Sequence, residues 1–209
     1  MSPRGVATPD VRERLFAAAE RVLAREGPVA LTGRAITGEA GCAKGLLHAH
    51  FSGLDEFVAE LVLDRFARTA RQAGELAGRA GQATVTENLV TVALALLTSA
   101  GPTVSGLALT RPAAATRVRQ ALEAGAPGFM AIQDSITAYL GAEQRLGRLA
   151  DDADTTSLAL ALVGTVHHLL MTSWAGAPDP CDQVERLVAL LAGAAGAGPN
   201  GTTAAQDLC

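Results

Sequence analysis

The sequence predicts an all-α protein of about nine helices, and three observations carry that expectation. The 209-residue chain is 49% hydrophobic but only 3% aromatic, so its core must be built from Leu, Val and Ala. Ala and Leu favour helix, and the Val/Ile/Thr/Tyr/Phe runs that mark strands are missing. Apolar residues also recur at helical spacing between capping residues and Gly or Pro stops. The length suits one large domain, or a small one joined to a larger one.

Thr8-Pro9 reads as a helix start, with Thr able to cap and Pro suited to the first helical position. The stretch "DVRERLFAAAERVLAREG" then places Leu15, Ala18, Ala19, Val22 and Leu23 on one stripe, and Gly27-Pro28 ends it. Thr32 can cap a short second helix over 33–40, with Ala35, Ile36 and Ala40 inward; its two glycines make it intrinsically weak. Gly41 stops it where a left-handed residue is needed, and residues 43–50 form a third helix with Leu47 and Phe51 facing the core. Ser52–Asp55 resembles a capping box. It opens a long fourth helix on which Phe57, Leu61, Asp64 and Arg65 begin an amphipathic run to about Arg71.

Residues 75–84 read as a loose joint, and Thr84–Glu87 as a capping box that launches a helix over 85–100, closed by Gly101-Pro102. Pro112 starts a helix to Ala124; Gly125 and Pro127 separate it from another over 128–146. Asp152 or Asp154 caps an apolar helix over 155–175. Gly176, Pro178 and Asp179-Pro180 then stop and restart the chain into a last helix. The Gly/Ala-rich tail, 195–209, reads as disordered.

The formal net charge of −4 argues against a nucleic-acid binder, but its distribution softens the argument. Residues 1–55 carry seven cations against six carboxylates, or +1, which leaves −5 for the rest. Cys42, Cys181 and Cys209 are too few and too widely spaced for a disulfide framework or a metal site, and no cofactor is expected. The first ten residues lack the apolar core of a signal peptide. Residues 156–174 contain no Asp, Glu, Lys or Arg, yet they hold two His and have acidic rather than basic flanks. A buried soluble helix is the better reading than a membrane span, so no membrane partner and a cytoplasmic address are expected.

The stretch "EAGCAKGLLHAHF", residues 39–51, contains Lys44, the only lysine of the chain. Helix, sharp Gly turn and short helix over about 32–51 is the geometry of a helix-turn-helix, whose second helix must enter a major groove about 12 Å wide. Gly45 would give the backbone access there. Lys44 would add a cation at a helix end already favourable to phosphate. On a helix, 44, 45, 48 and 49 can share one face while 47, 50 and 51 turn toward the core. A helical hairpin with a Gly turn explains positions 39–47 as well.

At this point the sequence resembles the N-terminal domain of the TetR (tetracycline-repressor) family of transcriptional regulators, over residues 9 to about 68. The matching positions are Gly27, Thr32, Ile36, Ala40, Gly41, Lys44, Gly45, Leu47, His50 and Phe51. The resemblance implies a DNA-binding domain over 9–68 and a helical effector-binding and dimerisation domain over 69–194. Carried over by position, Thr32 and Arg34 would contact the DNA backbone, and Ala43, Lys44, Gly45, Leu46, His48 and Ala49 would face the groove. Leu46 and Ala49 could read only thymine methyls or shape. There are departures. Thr37 stands for the usual Ala, Ala43 for a capping Ser, His48 for a phosphate-bonding Tyr and Leu54 for a Lys at the fourth helix. His50 reads as a core-edge residue and Cys42 as a small buried apolar one.

The last two long helices are apolar on more than one side, which calls for a partner. The resemblance implies a twofold dimer, and Leu158, Leu162, Val166, Leu169, Val184, Leu187, Val188 and Leu191 are its candidate interface. It also implies a near-palindromic operator in double-stranded DNA and repression relieved by a small-molecule effector. Phe129, Met130, Gln133, Tyr139, His167, Met171 and Trp174 are candidate effector contacts. His167 and His168 point to different helix faces, so no shared metal is expected. Two rivals stay open: a helical homodimeric interaction module without specific DNA binding, and a small helical enzyme. Against the latter, the chain shows no nucleophile elbow, P-loop, metal spacing or carboxylate pair in a recognisable context.

Overall fold

The computed structural model describes residues 11–98, 106–107, 110–172 and 178–196. Among them are nine α-helices and no strand: α1 (Val11–Glu26), α2 (Gly33–Glu39), α3 (Leu46–His50), α4 (Leu54–Gly74), α5 (Val85–Thr98), α6 (Pro112–Glu123), α7 (Phe129–Arg145), α8 (Thr155–Met171) and α9 (Pro180–Ala194). The expected start at Thr8-Pro9, the stop at Gly101-Pro102, Trp174, Gly176 and residues 197–209 of the tail lie outside the described residues. The chain divides into two compact units: residues up to 65 together with 100–126, and residues 66–99 together with those from 127 onward. The expected division at 68/69 is close to the first break, but α6 clusters with the N-terminal unit.

In the N-terminal unit α1 buries the stripe its sequence displays, with Leu15, Ala18, Ala19, Val22 and Leu23 all in the core. Phe16, Phe51 and Phe57 close over it with ring centroids 5.0–6.0 Å apart, a favourable aromatic spacing. Gly27 ends α1 at φ +78°, and Thr32 accepts the Ala35 N–H (3.1 Å) to cap α2. The glycines leave α2 weak on its own, and packing compensates: Ile36 is fully buried, and buried Thr37 turns its hydroxyl back onto the Gly33 carbonyl at 2.9 Å. Ala35 and Ala40, expected inward, are only half-buried. Arg14 reaches across to the Ala40 carbonyl (3.1 Å), an orphan acceptor at the end of α2.

The start of α4 differs from expectation. Glu56, one residue beyond the expected Asp55, accepts the Ser52 N–H. Hydrogen bonds from Ser52 hold its carboxyl below the ordinary range. Asp55 is engaged elsewhere, 2.7 Å from the Arg111 guanidinium at the head of α6.

In the second unit α8 packs against α5, α7 and α9, and α5 against α9. Leu89, Ala93, Ile132, Ile136, Leu162, Val166, Val184 and Val188 form its centre. Five of the eight residues expected at a dimer face are enclosed by their own chain. Leu162, Val166, Leu169, Val184 and Val188 are buried in their own chain, and Leu158, Leu187 and Leu191 pack on the same core. Three neighbours cover both apolar stripes of α8, so no second molecule is needed for them. The solvent side instead shows Leu160 and Met171 on α8 and Leu190 on α9. No helix among the described residues is long and apolar enough to cross a membrane.

Residues 75–84 are tied down rather than loose. A 3-10 turn over Glu75–Arg79 leads to Gly81 at φ +78°, whose N–H points at Glu143 (3.3 Å). Glu143 is fully buried and pairs with Arg148 at 3.4 Å; Arg148 in turn donates to the Ala83 carbonyl. Asn88 donates to the Gln82 carbonyl (2.8 Å) and to the Tyr139 hydroxyl (2.9 Å). Burial, reinforced by Glu143, pushes the Tyr139 phenol well above its ordinary value, so it stays neutral. The expected capping box follows: Thr84 and Glu87 exchange backbone-to-side-chain bonds of 2.9 and 3.1 Å. Asp154, rather than Asp152, caps α8, and Asp179 caps α9.

Candidate nucleic-acid interface

The turn after α2 builds the interface. Gly41 takes φ +63°, and the Cys42 N–H bonds back to the Thr37 carbonyl (2.9 Å), the left-handed ending that glycine permits. The chain then makes a second, tighter turn in which the Leu46 N–H reaches the Ala43 carbonyl (2.9 Å). Helix α3 therefore begins at Leu46, three residues later than expected, and Ala43, Lys44 and Gly45 stand in the turn before it. Ala43 lacks a side-chain acceptor and Gly45 gives no cap, so the first turn of this helix is closed by backbone alone, the Ala49 N–H on the Gly45 carbonyl (3.1 Å).

Leu47 and Phe51 anchor α3 from beneath, 1% and 3% exposed. The anchoring leaves Thr32, Arg34, Ala43, Lys44, Gly45, His48, Ala49 and His50 exposed, with Leu46 half-buried. His50 thus departs from the core-edge expectation: in a five-residue helix the buried face has room for Leu47 alone, and the ring turns out to water. Cys42 is half-buried, its Sγ 3.4 Å from both the Ala40 carbonyl and the Arg14 guanidinium, so its contacts are polar rather than apolar. Glycine at position 45 is not demanded by the backbone: Gly45 sits at φ −81°, and a Cβ there would meet nothing within 4 Å.

Ion pairing separates the two cations of the helix-turn-helix from most arginines of its unit. Most arginines of this unit are committed: Arg21 and Arg25 to Glu39, Arg12 to Glu60, Arg65 to Glu20 and Arg111 to Asp55. Hydrogen bonds from Arg21 and then Arg25 hold the Glu39 carboxyl below its ordinary value. Lys44 and Arg34 are exposed and have no ion pair among the described residues. The start of α4 offers no such charge, because half-buried Leu54 is followed by Asp55 and Glu56. What the arrangement can do is present two unneutralised cations, two imidazoles and small side chains beside a short helix, the equipment for a polyanion with a groove.

Among the described residues, those expected to hold an effector are spread over buried and exposed positions. Phe129 lies between Phe66 and His167, with ring centroids 5.0 and 4.9 Å away, and this group is partly open to solvent. Met130 is 69% exposed, whereas Tyr139 is fully buried in the Asn88–Glu143 network. Gln133 is half-buried and Met171 is exposed. These candidates were mostly apolar side chains of the C-terminal helices, and the buried network that claims Tyr139 has no sequence signature. Among the described residues, no group of three or more His, Cys, Asp or Glu could hold a metal.

Residues 15–61 match the family model for bacterial regulatory proteins of the tetR family. The chain shares its all-helical fold with solved TetR-family transcriptional regulators, and the residues matched by the family model contain the helix-turn-helix. A transcriptional regulator from Rhodococcus sp. Rha1 shares the fold at 21% identity and a TM-score of 0.65, covering 90% of this chain and 100% of its own. SmeT, the repressor of the Stenotrophomonas maltophilia multidrug efflux pump SmeDEF, matches at 20% identity and 0.63, with 93% and 96% covered. The transcriptional regulator FadR from Bacillus subtilis, in complex with stearoyl-CoA, matches at 17% identity and 0.61, with 86% and 96% covered. No curated protein sequence matches the chain.

Proposed function

We propose that the chain is a dimeric transcriptional repressor that holds a near-palindromic operator through its helix-turn-helix and releases it when a small molecule binds the second unit. The observation that carries the DNA-binding half is the exposed, unneutralised pair Lys44 and Arg34 beside a helix-turn-helix, in a chain of net charge −4. An acidic chain that keeps both cations of its helix-turn-helix exposed and without an ion pair has the means to hold phosphate there. Lys44 and Arg34 grip the backbone with Thr32. Gly45, Ala49 and Leu46 permit close approach, and His48 and His50 add donors.

Dimerisation rests on the solvent side of α8 and α9. Leu160 (57% exposed), Gly164 and Met171 lie there on α8, and Leu190 (69%) with Gly193 on α9. Exposed leucines beside glycines allow two copies to pack closely around a twofold axis. The release step draws support from relatives of the same fold, one a repressor and one bound to an acyl-CoA. An effector works only if it prefers the arrangement that does not fit DNA.

Selection of bound duplexes from random DNA tests the reading. The expected product is a near-palindrome whose half-sites lie about one helical turn, or a multiple of it, apart. A pool with no enriched sequence would leave a helical interaction module as the better reading.

A further inference from the structure

A cleft of about 180 Å³ opens in the second unit between the last turn of α4, the 3-10 turn after it and α5. Its floor is apolar and rigid, made by Ala73, Leu76, Val92 and Leu96, each 6% exposed or less. Its rim carries Gln72, Glu75, Arg79 and Thr91. Thr91 spends its hydroxyl on the Glu87 carbonyl of its own helix (2.7 Å). The side chains of Glu75 and Arg79 have no hydrogen bond or ion pair among the described residues, although they stand four positions apart. Both line the same cleft, and neither charge is neutralised by a neighbour among the described residues.

We propose that this cleft binds a small zwitterion with an apolar body: an α-amino acid bearing a branched or aromatic side chain. The short apolar floor of four side chains suits a leucine- or phenylalanine-sized side chain. The side chain lies on Ala73, Leu76, Val92 and Leu96. The carboxylate meets the planar fork of Arg79, the ammonium meets Glu75, and the Gln72 amide is within the same rim for a further bond. A fatty acid would leave Glu75 facing its carboxylate, and a simple amine would leave Arg79 facing its cation. The pairing of one acid with one base thus selects a ligand carrying both charges.

Titration calorimetry on the full-length protein tests this with L-leucine and L-phenylalanine against isovalerate and isoamylamine, each up to about 10 mM. The amino acids should bind, and each single-charge analogue should bind at least about tenfold more weakly, as loss of one charge-assisted hydrogen bond requires. Arg79→Gln and Glu75→Gln should each weaken the amino acids by a similar factor while leaving circular dichroism and melting unchanged. No heat with either amino acid, isovalerate binding as tightly as leucine, or unaltered binding by both variants would overturn the assignment. The readout contains no DNA, so its failure leaves the operator-binding reading standing, and failure to select an operator leaves the cleft untouched.

Discussion

Replacing Lys44 by Ala should change how DNA binding responds to salt, and the size of the change follows from the charges left free in the structure. Each head presents two unpaired cations, Lys44 and Arg34, so a dimer presents four. At about 0.9 counterions released per phosphate neutralised, four contacts give a slope of log K against log [salt] of roughly −3.6. Removing Lys44 from both heads leaves two contacts and a slope of roughly −1.8. Between about 50 and 200 mM salt the parent should lose roughly 150-fold in affinity and the variant roughly 12-fold. Fluorescence anisotropy of a labelled operator across that range measures both slopes. The loss must also be uniform across operator variants, because a phosphate contact carries no sequence information. A variant whose slope equals the parent's would show that Lys44 touches no phosphate, and the assignment of the groove-facing surface would fail with it.

Gly45→Ala separates stability from recognition. Its φ of −81° and open surroundings predict unchanged stability or a gain of up to about 1 kcal/mol, while the added methyl blocks close approach and weakens operator binding. Melting and anisotropy on the same sample check both halves. Glu143→Ala leaves the Arg148 guanidinium and the Gly81 N–H without their acceptor, and should destabilise the protein by about 2–4 kcal/mol in urea unfolding. Leu160→Arg combined with Leu190→Arg should yield monomers in sedimentation velocity with an unchanged helical spectrum, whereas a persistent dimer would place the interface elsewhere. The acid limb of stability has a defined sign. Glu39, Glu87 and Asp154 are held below their ordinary values by Arg21, Thr84 and Ser157. Their stabilisation is therefore complete above about pH 4.5 and lost as pH falls through the lowered folded values. The triple variant Glu39→Gln, Glu87→Gln, Asp154→Asn should flatten that limb below about pH 4.5, as followed by thermal melts.

What could be read from the sequence was whatever depends on neighbours along the chain. Thr32, Gly41, Thr84 with Glu87, and Asp179 act within a few residues of themselves, so their roles as caps and stops were legible. So was the α1 stripe, because one amphipathic helix needs one covered face. The reading failed where a distant element decides. Arg111 is 56 residues from Asp55, and its guanidinium takes that carboxylate away from the expected cap. Leu162 and Val166 looked like a surface for a second molecule because nothing in α8 itself says that three other helices surround it. Tyr139 looked available for a ligand, but Asn88 and Glu143, 51 positions upstream and four downstream, enclose it. At the interface, the missing serine at position 43 was visible as a lost cap. Its consequence, a helix shortened to five residues with His50 turned outward, depends on how Leu47 and Phe51 seat themselves in the core.

A chain with a single side-chain amine, carried on an exposed turn, has an unusual chemical handle. Apart from the α-amino group, an amine-selective acylating reagent finds one target in the whole molecule, and that target lies where a duplex would shield it. Modification of one atom, Nζ of Lys44, would cancel one of the two unpaired cations of the helix-turn-helix without touching its packing. Mass spectrometry could count that event on every molecule.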